Sequence, residues 1–216
     1  MGTPLSIDLI ADVVCPWCYI GWRRLQKAIA LRPDIDATVT WRPFQLDSMI
    51  PDEGLDRKAY MAAKFAGATP EKREAMMAAL QENAARDGLD LKLADIPISP
   101  NTNAAQRLIR WAQEMGVGPA VIEAVMAAYF TELRDIGDPV VLSEIGAAAG
   151  MDPLMILGRL SEDVDKDQVT KEYVLAARAG VSGVPFYIFG GRTAVSGAET
   201  PENLALAMDK AVELAA

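Results

Sequence analysis

Residues 5–22, LSIDLIADVVCPWCYIGW, decide the fold. Ser6-Ile7-Asp8-Leu9-Ile10 alternates polar and apolar side chains, the period-two signature of a strand, and the run from Leu5 to Val14 ends directly on Cys15-Pro16. From Pro16 the period changes. Cys18, Trp22, Leu25 and Ile29 recur at helical spacing, with Arg23, Arg24 and Lys27 reading as a solvated face, until Arg32-Pro33 stops the pattern. A strand that feeds straight into a helix leaves Cys15 at the helix start and Cys18 one turn in.

Positions i and i+3 in a first helical turn hold their Cα atoms within the roughly 4.4–6.8 Å that a disulfide tolerates, so the pair can close and reopen without backbone upheaval. A bridge between such near neighbours removes almost no loop entropy, so stapling the chain is a poor use for it. Unpaired amides and the macrodipole at a helix start favour an anionic sulfur, the attacking species in thiol–disulfide exchange. Cys15 is therefore the candidate attacking thiol and Cys18 the buried resolving thiol. Pro16 suits a first turn, where no donor is needed, and Trp17 would project beside the reactive sulfur as an apolar contact for substrate. The competing reading is two core cysteines that fall three apart. No metal is expected, because two thiolates in a chain without histidine leave a tetrahedral ion half-ligated.

Composition bounds the rest. At 216 residues with 51% hydrophobic content, the chain suits one domain with a large insertion or two small domains. Its 21 basic and 30 acidic residues give a net charge of -9, which would repel a phosphate backbone, so nucleic acid is not an expected partner. No stretch approaches the roughly 18–20 apolar residues of a membrane span, and MGTPLSIDLIADVV lacks a basic leader pattern, so a soluble, cytoplasmic protein is expected. The absence of histidine removes imidazole bases and Cys-His dyads.

Outward from the cysteines, Ile35 to Phe44 reads as a second strand, with Thr38, Val39, Thr40 and Trp41 as strand formers. Helices with their own caps follow: Thr69-Pro70 to Gly88, Asn101-Thr102 to about Gly116, Pro119 to Leu133, Pro139 to Gly150, Pro153 to about Glu162 and Lys166 to Gly180. Val184 to Phe189 returns as a strand, Gly190-Gly191 as a turn, Thr193 to Val195 as its partner, and Pro201 to Leu214 as a terminal helix capped by Thr200. The order is βαβ, a helical block, then ββα. In Gly183-Val184-Pro185 a proline stands at a strand start, where a cis peptide would offer the Val184 backbone groups to an extended substrate segment.

Asp12-Val13-Val14-Cys15-Pro16-Trp17-Cys18-Tyr19-Ile20-Gly21, Trp41-Arg42-Pro43-Phe44, Asn101-Thr102, Ala128-Tyr129-Phe130, Gly183-Val184-Pro185 and Ser196-Gly197-Ala198 together resemble the FrnE-type branch of the DsbA family, from about Ile7 to the terminal helix. The resemblance implies an α/β thioredoxin fold with a mixed sheet and an inserted all-α domain: residues 1–48 plus 166–216 as the thioredoxin-like domain and 49–165 as the insertion. It implies disulfide exchange with protein or small-molecule thiols, the cysteine pair facing a cis Val184-Pro185, and a site-shaping role for Asn101. Oligomeric state and the direction of exchange stay open.

The pattern is also broken in places. Gln106 stands where a histidine is expected, and Glu199 where glutamine often follows Ser-Gly-Ala. Many thioredoxin-fold enzymes carry a buried acid six residues before the nucleophile; that position is Leu9. Asp12 is the nearest acidic candidate, with a solvated strand-end carboxylate as the alternative. Kappa-type glutathione transferases and 2-hydroxychromene-2-carboxylate isomerases share the architecture but carry serine at the position of Cys15, so they form the second reading. No bound cofactor is expected; glutathione would be a co-substrate, held where Ser196, Gly197 and Ala198 precede the last helix.

Overall fold

In the computed structural model, which describes residues 2–215, the chain runs β1 (Thr3–Ala11), α1 (Pro16–Ala30), β2 (Ile35–Pro43), β3 (Leu55–Asp56), α2 (Arg57–Lys64), α3 (Pro70–Arg86), β4 (Ile98–Ser99), α4 (Asn103–Glu114), α5 (Gly118–Phe130), α6 (Pro139–Ala148), α7 (Pro153–Ser161), α8 (Lys166–Arg178), β5 (Phe186–Phe189), β6 (Thr193–Ser196) and α9 (Pro201–Glu213). It divides into two units, Met1–Phe44 with Lys171–Ala216, and Gln45–Thr170. The sequence-based boundaries at 48/49 and 165/166 thus move by four or five residues: the second falls inside α8, where helical periodicity gives no mark of a domain edge.

The first unit is built on a mixed four-stranded sheet of order β2-β1-β5-β6. β1 pairs parallel with β2 and antiparallel with β5, and β5 pairs antiparallel with β6. Lying between two partners, β1 is covered on both faces toward its C-terminal end, where Leu9, Ile10 and Ala11 are all buried. Ile10 joins Phe44 and Val181 in one cluster with Tyr173, Ala176, Val184, Phe186 and Ile188 around it, and Tyr173 meets Phe44 edge-on at 5.2 Å. Ile7, Leu9, Tyr187 and Phe189 fill the other face at 0% exposure. Each such side chain contributes roughly 1.5–3 kcal/mol of burial. α9 packs on β1, β5, β6 and α1, and the residue before it, Thr200, caps it by accepting from the Asn203 amide at 3.2 Å.

β1 stops at Ala11, three residues before the sequence reading ended it. Asp12 to Val14 turn, and the Cys15 amide donates to the Asp12 carbonyl at 3.1 Å. Val13-Val14 has strand composition, but this local hydrogen bond takes it out of the ladder.

The inserted unit is helical but for a two-residue antiparallel ladder between β3 and β4. Neither of these strands nor α2 is read from the sequence: two residues carry no periodicity, and α2 buries none of its side chains. Deeper in this unit Arg107, 3% exposed, donates from Nε to the Val164 carbonyl at 2.5 Å and from Nη2 to the Arg159 carbonyl at 2.6 Å. Trp111 Nε1 donates to Asp165 at 2.7 Å. Among the described residues no helix is long and apolar enough to cross a membrane.

Candidate active site

Cys15 is the residue that caps α1, with extended backbone angles of φ -88° and ψ 113°, and Pro16 opens the helix. Its carbonyl already accepts from the Cys18 amide at 2.9 Å and the Tyr19 amide at 3.2 Å. The sulfur therefore sits off the end of the helix, at the positive pole of its dipole. It is 5% exposed, and both cysteines are free thiols. Pro16 and Trp17 are half-buried beside it.

Across the site, the Val184-Pro185 peptide is cis, and the Cys15 thiol donates to the Val184 carbonyl at 3.8 Å. Residues separated by 169 positions thus meet at the Cys15 sulfur. The Pro185 carbonyl in turn accepts from the Gly197 amide at 2.8 Å. Gly197 has φ 90°, a conformation that disfavours any side chain.

Cys18 is fully buried at 0% exposure. Burial pushes its thiol well up; the Cys15 thiol and the charge of Asp12 push the same way, while a backbone hydrogen bond from Asp12 opposes them. Cys18 is therefore a neutral thiol at neutral pH. Asp12 is 1% exposed, so it is a buried carboxyl acting on Cys18 and not a solvated strand-end group.

Arg24 overturns an expectation. It is 8% exposed, and its Nη1 donates to the Ala198 carbonyl at 2.6 Å, so it is no part of a solvated face. Cys15, Cys18, Gly21 and Arg24 follow at intervals of three from the start of α1, a row that winds about half a turn around the helix and that charge patterning hides behind Arg23 and Lys27. Gly21 in this row has no room for a side chain: a methyl would collide with the Tyr187 hydroxyl and lie 2.8 Å from Pro185 Cγ. Tyr187 went unread as a site residue, although period two from Pro185 puts it on the same face of β5.

The structure therefore gathers Asp12, Cys15, Pro16, Trp17, Cys18, Val184 and Pro185 in the first unit, with Ser196 ending β6 and Gly197 and Ala198 following it in that unit. Ser196 is exposed, Gly197 is tied to Pro185, Ala198 to Arg24, and Thr200 rather than Ala198 caps α9. Asn101 belongs to the inserted unit. Its Nδ2 donates to the Ile50 carbonyl at 2.7 Å, its Oδ1 accepts from the Asn103 amide at 3.0 Å, and it borders a cavity of about 210 Å3 with Asp52, Asn103, Arg107 and Lys166. Gln106, at the position expected to be histidine, is 1% exposed in the same unit. Tyr19 and Trp22, each 2% exposed, are core side chains.

A strand-helix corner with two thiols, meeting a cis-proline strand on a β2-β1-β5-β6 sheet, is the arrangement of a thioredoxin-like domain. The chain belongs to the DSBA-like thioredoxin domain family, which matches residues 6–209. It is 26% identical over 198 residues to the uncharacterized protein YwbO of Bacillus subtilis, covering 90% of each chain. Among solved structures, a probable DsbA oxidoreductase from Streptomyces coelicolor is 29% identical with a TM-score of 0.85, over 96% of this chain and 89% of that one. A 2-hydroxychromene-2-carboxylate isomerase shares the fold at 18% identity and a TM-score of 0.72, over 97% of both chains. So does the cytosolic disulfide reductase DsbM of Pseudomonas aeruginosa, solved with glutathione, at 18% identity and a TM-score of 0.62, over 97% of this chain and 96% of that one.

Proposed function

We propose that the protein is a cytoplasmic thiol–disulfide oxidoreductase in which Cys15 forms mixed disulfides with protein or small-molecule substrates and Cys18 resolves them. The observation that carries this reading is the Cys15 sulfur at the start of α1, 3.8 Å from the Val184 carbonyl. A thiolate formed there attacks a substrate disulfide along the S–S axis; one S–S bond forms as the other breaks, and the leaving thiolate takes a proton from water. Val184 offers its backbone to an extended substrate segment, in the manner of strand addition. Cys18, deprotonated only on demand, then attacks Cys15 Sγ and releases the substrate as a thiol.

Cytoplasmic placement is supported by the reducing-compartment logic of a lone, closely spaced cysteine pair and by the cytosolic relative that shares the fold. Glutathione is the small thiol we assign as co-substrate, at the loop from Ser196 to Ala198; a glutathione complex of that same relative motivates the assignment. The net charge of -9 argues against nucleic acid as a partner.

Insulin reduction, refolding of a scrambled substrate and thiol oxidation by the Cys15→Ala variant test the reading. All three should fall to the uncatalysed rate, and full retention sinks the proposal. An equilibrium titration of the cysteine pair against glutathione then sets the direction: a potential well below the glutathione pool marks a reductase, one well above it an oxidase or isomerase. Turnover of an aromatic substrate that needs glutathione and survives Cys18→Ser would replace this reading by a glutathione-dependent isomerase.

A further inference from the structure

The hydroxyl of Tyr187 is a polar group at the bottom of the site with no hydrogen-bond partner, in a residue that is 0% exposed. An unsatisfied buried donor is costly. Phenylalanine, which the chain uses two residues later at Phe189, would fill the same strand position without that cost.

Its surroundings give the hydroxyl a use. Register places Tyr187 directly across from Leu9, the position that lacks the buried acid expected before the attacking cysteine. The hydroxyl lies against Gly21, whose missing Cβ makes the space for it, one turn beyond Cys18 and one turn before Arg24 on α1. Burial above all, and then the charge of Cys18, pushes its ionisation well up, with Arg24 pulling it down and Cys15 adding to the rise. Tyr187 is thus a phenol at every working pH, within electrostatic reach of both sulfurs, and it keeps its hydrogen to donate.

Resting on the reading of Cys15 and Cys18 as an exchanging pair, we propose that the Tyr187 hydroxyl donates a hydrogen bond to the Cys18 thiolate, in place of the buried acid that Leu9 lacks. When a substrate thiolate attacks Cys15 Sγ of the oxidised pair, the Cys15–Cys18 bond breaks, a Cys15–substrate bond forms, and the bonding electrons leave on Cys18 Sγ. That anion is created on a fully buried sulfur and needs a donor until it is protonated. In the reverse step the same hydrogen bond lets Cys18 ionise before it attacks Cys15 Sγ and expels the substrate thiolate.

The test is a titration of Cys18 followed by NMR of its isotopically labelled Cβ, in Cys15→Ser protein with and without Tyr187→Phe. Loss of the hydroxyl should raise the Cys18 value by about one unit, a tenfold loss of thiolate. Superimposable curves overturn the proposal. With both cysteines present, Tyr187→Phe should slow Cys18-dependent release of an aromatic thiol from its mixed disulfide with Cys15 about tenfold, while iodoacetamide alkylates Cys15 at the unchanged rate. An unchanged release rate likewise overturns it. A shifted titration in a protein whose wild type forms no mixed disulfide at Cys15 upholds the hydrogen bond and defeats the exchange reading instead.

Discussion

The two halves of the first unit do different jobs at one site. In the proposed exchange the βαβ half supplies the reacting atoms: Cys15 at the tip of α1 and Cys18 behind it. The ββα half contains neither sulfur, yet it supplies the carbonyl that the Cys15 thiol meets, the hydroxyl facing Gly21, and the Ala198 carbonyl that holds Arg24. The thiols are close in sequence while their surroundings are long-range: a tetrapeptide brings both sulfurs, and their environment comes from about 170 residues further on.

The largest effect is expected from disabling the βαβ half alone. Cys18→Ser should stall the cycle at the mixed disulfide, so that mass spectrometry finds substrate bound to Cys15 while turnover drops to background. Activity close to wild type in that variant would mean the second thiol is dispensable, and with it the division of labour. Next in size is the seam between the halves. Gly21→Ala forces a methyl against Pro185 and the Tyr187 hydroxyl, and overpacking of this kind costs about 1–3 kcal/mol. Chemical denaturation should register that loss, and a variant as stable as wild type would show that the seam has slack. Arg24→Met should lose about 1 kcal/mol, since it deletes one hydrogen bond and leaves the Ala198 carbonyl to water or to nothing.

The pH dependence is smaller near neutrality but distinctive in sign. Because burial raises the Cys18 value in the folded protein, the unfolded chain releases this proton first. Stability of the reduced protein is complete below the unfolded thiol value of about 8.5 and is lost as pH climbs from there toward the raised folded value. Melting temperatures of the reduced form should therefore fall above that pH, and those of Cys18→Ser should fall less steeply. Equal slopes would remove Cys18 as the cause. The least effect is expected at the far end of the helices, where Arg32 grips Asp209 through two contacts of 2.6 Å and holds its carboxyl below the ordinary range. Asp209→Asn should flatten a small acid-side loss of stability, which is present above the unfolded carboxylate value near 3.9 and disappears as pH falls through the lowered one.

What the sequence disclosed follows the same division. The strand-to-helix switch at Cys15, the helical run to Arg32 and the terminal ββα were legible because period and caps are local signals. Thr200 shows this well: threonine before proline announces the start of α9, and the structure has it accepting from Asn203. Arg24 was misread because charge on a helix ordinarily means solvent, and only the packing of the β6–α9 loop buries it. Tyr187 was passed over because an aromatic in a strand is ordinarily core; its hydroxyl acquires meaning only from the register with Leu9 and the gap at Gly21. α2, β3 and β4 left no periodic trace, being too short or too exposed.

The contact between Cys15 and Val184 also sets a clock. At roughly 5–20 residues per second of synthesis, the 169 positions between them take about 8–34 s to translate. Through that interval the nascent chain carries both thiols with no Val184-Pro185 strand to cover them and no Tyr187 beneath. A newborn copy of this protein is thus, for many seconds, a bare dithiol peptide, open to capture by whatever disulfides surround the ribosome.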